Sequence, residues 1–184
     1  MADPATELAV AAGPHVFAGI AAVEAAVGQS LGVTPWFTVE QASVDAFASV
    51  TRDWQSLHCD PAVAALTPYG GTIAHGYLTV SLLSMFAGQL YRVEGVAHVL
   101  NYGIDRLRFP GVVPVGSRIR AHGTLTATTP KPGMVLVGVT YTVEVEGATR
   151  PGLVADTLVA LVPHPAPPGI TPHLTPELET EPEN

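Results

Sequence analysis

Gly76-Tyr77-Leu78-Thr79-Val80-Ser81-Leu82-Leu83-Ser84-Met85-Phe86-Ala87-Gly88-Gln89-Leu90 carries no charge from end to end, and its large apolar side chains fall on every side of a helical wheel. A helix at a protein surface keeps one polar face, so this pattern predicts a helix with no solvent face. The glycines, the serines and Gln89, with His75 just ahead, mark it as a buried core helix and not a membrane span. A helix of that kind has to be wrapped by other elements.

The wrapping lies downstream, in four β-rich runs over about 97–109, 116–128, 134–146 and 152–162. In the third, Val135, Val137, Val139, Tyr141, Val143 and Val145 alternate with Met134, Leu136, Gly138, Thr140, Thr142 and Glu144, the period of a strand. Pro130-Lys131-Pro132-Gly133 and Glu146-Gly147 supply turn chemistry. With a short strand at Trp36-Phe37-Thr38-Val39 the count is five, joined by short turns and therefore antiparallel. A long buried helix held in a curled antiparallel sheet is an α+β hotdog fold. Upstream, Phe17, Ile20, Val23 and Val27 predict a helix over about 17–28. Thr38-Val39-Glu40-Gln41 has the form of a capping box, ahead of a helix burying Val44, Phe47 and Ala48. Asp60-Pro61 reads as the N-cap and first position of a further short helix.

These elements form one domain over 14–162 of the 184 residues, with a loose arm over 1–13 and a proline-rich acidic tail over 163–184 expected to be disordered. A composition 47% hydrophobic and 13% charged supports a sizeable core. The net charge of −8 argues against a nucleic-acid partner, whose phosphates demand a basic face. Lys131 is the single lysine beside seven arginines, enough for a small anionic ligand. Cys59 is the single cysteine, so no intramolecular disulfide forms, in keeping with a reducing cytoplasm. The first residues lack the basic start and apolar run of a signal peptide.

Asp53-Trp54-Gln55-Ser56-Leu57-His58-Cys59-Asp60-Pro61 sets a carboxylate and an imidazole five residues apart, and Ile73-Ala74-His75-Gly76 follows at the head of the apolar helix. A carboxylate, a histidine and a helix N-terminus are the parts needed to add water across an activated double bond. Asp60 reads mainly as a helix cap. No metal site is expected: His58, Cys59 and Asp60 are consecutive and converge poorly, and no HExxH spacing occurs.

Those two motifs, together with Asn101-Tyr102-Gly103-Ile104-Asp105-Arg106-Leu107-Arg108-Phe109, resemble the MaoC-like dehydratase family, and within it the subgroup named after the nodulation protein NodN. The resemblance runs from about Phe17 to about Val162. It implies a homodimeric hotdog enzyme that adds water reversibly to trans-2-enoyl thioesters, giving (R)-3-hydroxyacyl products on CoA or acyl carrier protein, with no cofactor. It places the catalytic pair on Asp53 and His58, the oxyanion glycine on Gly76 and a site serine on Ser84, which otherwise bonds only to its own helix. His75, Asn101, Tyr102 and Gln55 join Ser84 as candidate substrate contacts; His75 also reads as a core histidine, and Asn101 and Tyr102 as plain strand residues. Arg106, Arg108, Arg118 and Arg120 read either as partners for CoA phosphates or as a solvated strand face. Two departures stand out: Arg52 replaces a glycine, and Gln55-Ser56 replaces Asn-Pro. A hotdog thioesterase and an acyl-thioester-binding protein without activity are the alternatives.

Overall fold

The computed structural model describes residues 13–165. The expected arm, apart from Gly13, and the tail beyond Pro165 lie outside the described residues. In chain order the elements are β1 (His15–Phe17), α1 (Ile20–Ala25), β2 (Ser30–Val33), β3 (Phe37–Thr38), α2 (Gln41–Thr51), α3 (Ser56–Cys59), α4 (Pro61–Ala64), α5 (Gly76–Ser81), α6 (Leu83–Leu90), β4 (Tyr91–Val93), β5 (Val96–Arg108), β6 (Arg118–Lys131), β7 (Met134–Val145) and β8 (Leu153–Pro163).

The apolar stretch forms α5 and α6, which run on through Leu82 without losing their hydrogen bonding: Leu82 N–H donates to Leu78 O and Phe86 N–H to Leu82 O. Thr79, Leu83, Phe86 and Leu90 form its buried stripe, at helical spacing. The opposite stripe, Tyr77, Ser81, Ser84 and Gly88, is exposed. The expectation of a helix without a solvent face is therefore corrected: within one chain the sheet covers one side of it.

The sheet order is β2-β6-β7-β8-β5, all antiparallel, with β3 also paired to β6. The four long strands fall within a few residues of the predicted runs. Short turns join β6 to β7 and β7 to β8, but β5 is not the neighbour of β6; it pairs with β8 at the far edge. In β7 the odd-numbered residues from Val137 to Val145 are all buried, as the alternation predicts. Register shifts in β5 and β6 bend those strands and curl the sheet toward the helix. Where the helix end meets the sheet, Gly123 is required: a Cβ there would lie 2.9 Å from Leu90 Cδ1.

Phe86, Leu90, Ile119, Leu125, Val139, Tyr141, Leu153 and Leu161 form the centre of the core between helix and sheet. Each contributes roughly 1.5–3 kcal/mol on burial. Phe37 meets Phe86 edge to face, with ring centroids 6.4 Å apart. One helix on the concave face of a curled antiparallel sheet is the hotdog architecture.

Other local expectations change. Phe17 belongs to β1, which pairs in parallel with β4, so the first helix shortens to Ile20–Ala25. The capping box does not form: Thr38 is the last residue of β3, Glu40 is the N-cap of α2, and no side chain caps it. The Gln41 side chain is engaged elsewhere.

Candidate active site

α2 ends at Arg52, whose φ of 64° and ψ of 20° put it in the left-handed region, the conformation that terminates helices and usually falls to glycine. That turn sends the chain out through Asp53 and back into α3. In this single turn His58 N–H donates to Gln55 O at 2.9 Å and Asp60 N–H to Ser56 O at 2.9 Å. Asp60 then caps α4, accepting from Ala62 and Val63 N–H at 3.0 and 3.1 Å, as its position before Pro61 predicts.

Gln41 ties these pieces together. Its amide nitrogen donates to His58 O and to Asp45 Oδ1, each at 2.8 Å, and its Oε1 accepts from Thr72 Oγ1 at 2.7 Å. Sequence reading misses this role because its partners lie 17 and 31 residues away. Segment 72–75 is strung between α3 and the 113–115 segment: Ile73 N–H donates to Leu57 O and Ala74 N–H to Val113 O. His75 is thereby delivered as the N-cap of α5, with Gly76 as its first residue.

The result is a compact cluster. His58 and His75 are both buried, with their rings stacked at 3.8 Å between centroids and 29° between planes. His58 Nδ1 lies 2.7 Å from Ile73 O. A carbonyl only accepts, so Nδ1 carries the proton and Nε2 offers a lone pair. His75 Nε2 donates to Asp53 O at 2.9 Å and lies 4.0 Å from Asp53 Oδ2. One polar atom each of Asp53, His58 and His75 lies within 4.8 Å of the others, a spacing that one water molecule can bridge. The Asp53 carboxylate is partly open to solvent, at 41% exposure.

Gly76 supplies the remaining part. The N–H groups of a first helical turn have no acceptor within the helix and carry its positive end. A Cβ at Gly76 would lie 3.0–3.2 Å from three atoms of the Phe109 ring, so packing against Phe109 selects glycine here. Phe109 ends the third quoted motif, yet nothing local in the sequence reveals its contact with a residue 33 positions earlier. Burial first, then the carboxylates of Asp45 and Asp53, push the Cys59 thiol up, away from the thiolate form.

The remaining candidates lie apart. Ser84, Asn101 and Tyr102 line a groove of about 430 Å³ between the exposed face of α5–α6 and strands β5 and β8. Asn101 Nδ2 approaches Ser84 Oγ at 3.4 Å. None of Asp53, His58 or Gly76 lines that groove within this chain. Gln55 is exposed as the N-cap of α3, and its side chain makes no cap bond. Arg106 pairs with Asp156 at 2.7 Å, Arg118 with Glu146, and Arg120 with Glu144, while Arg118 and Arg120 also stack on Trp36. Three of the four arginines are thus committed to the sheet, and Arg108 reaches only Leu107 O.

Comparison with known proteins shows the family. The chain is 44% identical over 149 residues to 3-hydroxyacyl-thioester dehydratase Z of Mycobacterium tuberculosis, covering 80% of this chain and 99% of that protein. It is 42% identical over 158 residues to nodulation protein N of Rhizobium leguminosarum bv. viciae, covering 82% and 97%. The solved (R)-hydratase of Aeromonas caviae involved in PHA biosynthesis superposes with a TM-score of 0.61 at 30% identity, covering 73% of this chain and 96% of that one. The family described as MaoC like domain matches residues 22–147, from within α1 to just past β7, a span holding Asp53, His58 and Gly76. With fold and sequence in agreement, the chain belongs to the MaoC-like domain family.

Proposed function

We propose that the protein is an (R)-specific 3-hydroxyacyl-thioester dehydratase, acting in reverse as an enoyl-CoA hydratase. The observation that carries this reading is a polar cluster within 4.8 Å that brings Asp53 together with a His58 whose Nδ1 is committed to Ile73 O, which leaves Nε2 as its basic nitrogen. In the hydration direction one water molecule sits between the two. His58 Nε2 takes one proton as the oxygen bonds to Cβ of the enoyl thioester, the Asp53 carboxylate orients the water by accepting a hydrogen bond from the O–H that stays on the product, and the proton taken by His58 passes to Cα. The product is the 3-hydroxyacyl thioester, with no atom left over and no cofactor consumed. The thioester oxygen gathers negative charge and rests at the Gly76 N–H, a donor of a kind typically worth about 3–4 kcal/mol in the transition state. The relatives named as a 3-hydroxyacyl-thioester dehydratase and an (R)-hydratase support the same chemistry.

The two departures in the loop are compatible with activity. Arg52 adopts the left-handed conformation that a glycine there would adopt, and Ser56 occupies a first helical position, where the replaced proline would also fit. The thioester is carried by CoA or by acyl carrier protein, and a chain with one thiol, Cys59, suits action in the cytoplasm.

The working form is a homodimer. Val99, Leu100, Tyr102 and Ile104 of the edge strand β5 are exposed by 42–57%, and a second copy covers them together with the open face of α5–α6. The test of the reaction is stereochemical: (R)-3-hydroxybutyryl-CoA is dehydrated to the enoyl-CoA, with growth of enoyl absorbance, and the (S) isomer is not. Equal rates for the two isomers, or CoA release without enoyl formation, contradict the assignment.

A further inference from the structure

We infer that His75 is a positioning residue, held as a neutral Nε2–H imidazole that locks Asp53, His58 and Gly76 into one geometry. The inference rests on the hydratase reading for its kinetic consequence, and on hydrogen-bond geometry alone for its protonation state. One residue reaches all three parts of the site, two through its side chain and one through its backbone. Its Nε2–H donates to the Asp53 carbonyl at 2.9 Å, its ring lies 3.8 Å from the His58 ring, and its own backbone leads into Gly76. Phe47 closes the cluster, with its ring centroid 5.1 Å from that of His75.

The hydrogen bond decides the tautomer. Asp53 O can only accept, so His75 Nε2 must carry hydrogen. Nδ1 is buried and has no hydrogen-bond partner among the described residues. A proton there would create a buried cation with an unsatisfied N–H, stacked on a second imidazole; a lone pair there is the less costly state. His75 is thus the mirror of His58, which carries its hydrogen on Nδ1. The bond to Asp53 O also bears on Arg52. A left-handed residue just ahead of the carboxylate is tolerated where the surroundings over-determine the backbone, and the tie to His75 is one such restraint.

Two variants separate the ring from the donor. His75→Phe keeps a stacked ring and loses the N–H, whereas His75→Gln keeps an amide donor within reach of Asp53 O. In enoyl-CoA hydration the Phe variant is expected to lose about 10–100-fold in kcat, the scale of a misplaced catalytic group, with KM within about twofold of wild type. The Gln variant is expected to recover most of that loss. Equal kcat in both variants, or a loss expressed wholly in KM, overturns the role. The tautomer is read without substrate, from the long-range 1H–15N imidazole spectrum of the wild type at neutral pH, with the His75 signals assigned by their absence in His75→Gln. An Nε2–H neutral ring at His75 supports the inference; an Nδ1–H or cationic ring overturns it. Because the spectrum involves no turnover, it stands even where the hydratase reading fails and also where His75→Phe does not fold.

Discussion

Arg52 holds a backbone conformation that costs a non-glycine residue roughly 1–2 kcal/mol, one position ahead of Asp53, the proposed catalytic carboxylate. Arg52→Gly is therefore expected to raise Tm by about 2–4 °C, with kcat nearly unchanged because the turn is already in its required shape. A fall in Tm measured by calorimetry contradicts this. Gly76 presents the opposite case, a glycine selected by contact and not by φ. Gly76→Ala drives its methyl into the Phe109 ring and is expected to cost activity at least tenfold, while Phe109→Leu in the same chain restores part of it. A double variant as impaired as Gly76→Ala alone assigns the loss to thioester approach and not to the ring. At this scale the sequence is informative where chemistry is local. The Asp60 cap is visible because Pro61 follows it, and the Asp53–His58 pair because both lie on one short loop. Gln41 and Phe109 are opaque because their partners are brought to them only by the fold.

The long strands are the elements most open to reading, since a repeated two-residue alternation such as that of β7 survives any error at its ends. β1 and β4 are three residues each, too short to show a period, and their parallel pairing depends on how the chain returns after α6. The exposed face of α5–α6 was hidden for a different reason: its residues are mostly apolar or small, and hydropathy alone does not say which side the sheet covers. The outer face of β6 and β7 carries a testable charge ladder. Arg118 holds the Glu146 carboxyl below the usual range; burial raises Glu144, but its bonds to Arg120 and His122 outweigh that and leave it lowered as well. Carboxyls lowered on folding contribute stability that is fully present above their unfolded value and lost as pH falls through the folded one. The gap in Tm between wild type and the variant with Glu144→Gln and Glu146→Gln should thus be present at pH 6–7 and close below about pH 4. These side chains are largely solvated, so the gap is small and shrinks in salt. A gap unchanged across the titration rules out the ion pairs as its source.

For the whole molecule, one chain makes the fold but leaves β5 exposed on both faces and the groove at Ser84, Asn101 and Tyr102 open. Light scattering is expected to give twice the 19.1 kDa chain mass, and Ile104→Lys, on the exposed edge strand, to shift the protein toward monomer. A monomer at every concentration contradicts the homodimer. The sequence made the architecture legible as one apolar helix and four long strands, but not the open face, because a stripe of small and apolar residues has the same composition whether or not the sheet covers it. The central claim, that Asp53 and His58 share one water, is tested most directly by the initial rate of crotonyl-CoA hydration, followed by loss of enoyl absorbance in wild type, Asp53→Asn and His58→Ala. Rapid hydration by the wild type and a loss of at least about a hundredfold in each variant, with the fold retained, is the predicted result. Near-normal turnover in both variants, or no turnover in the wild type, would contradict it.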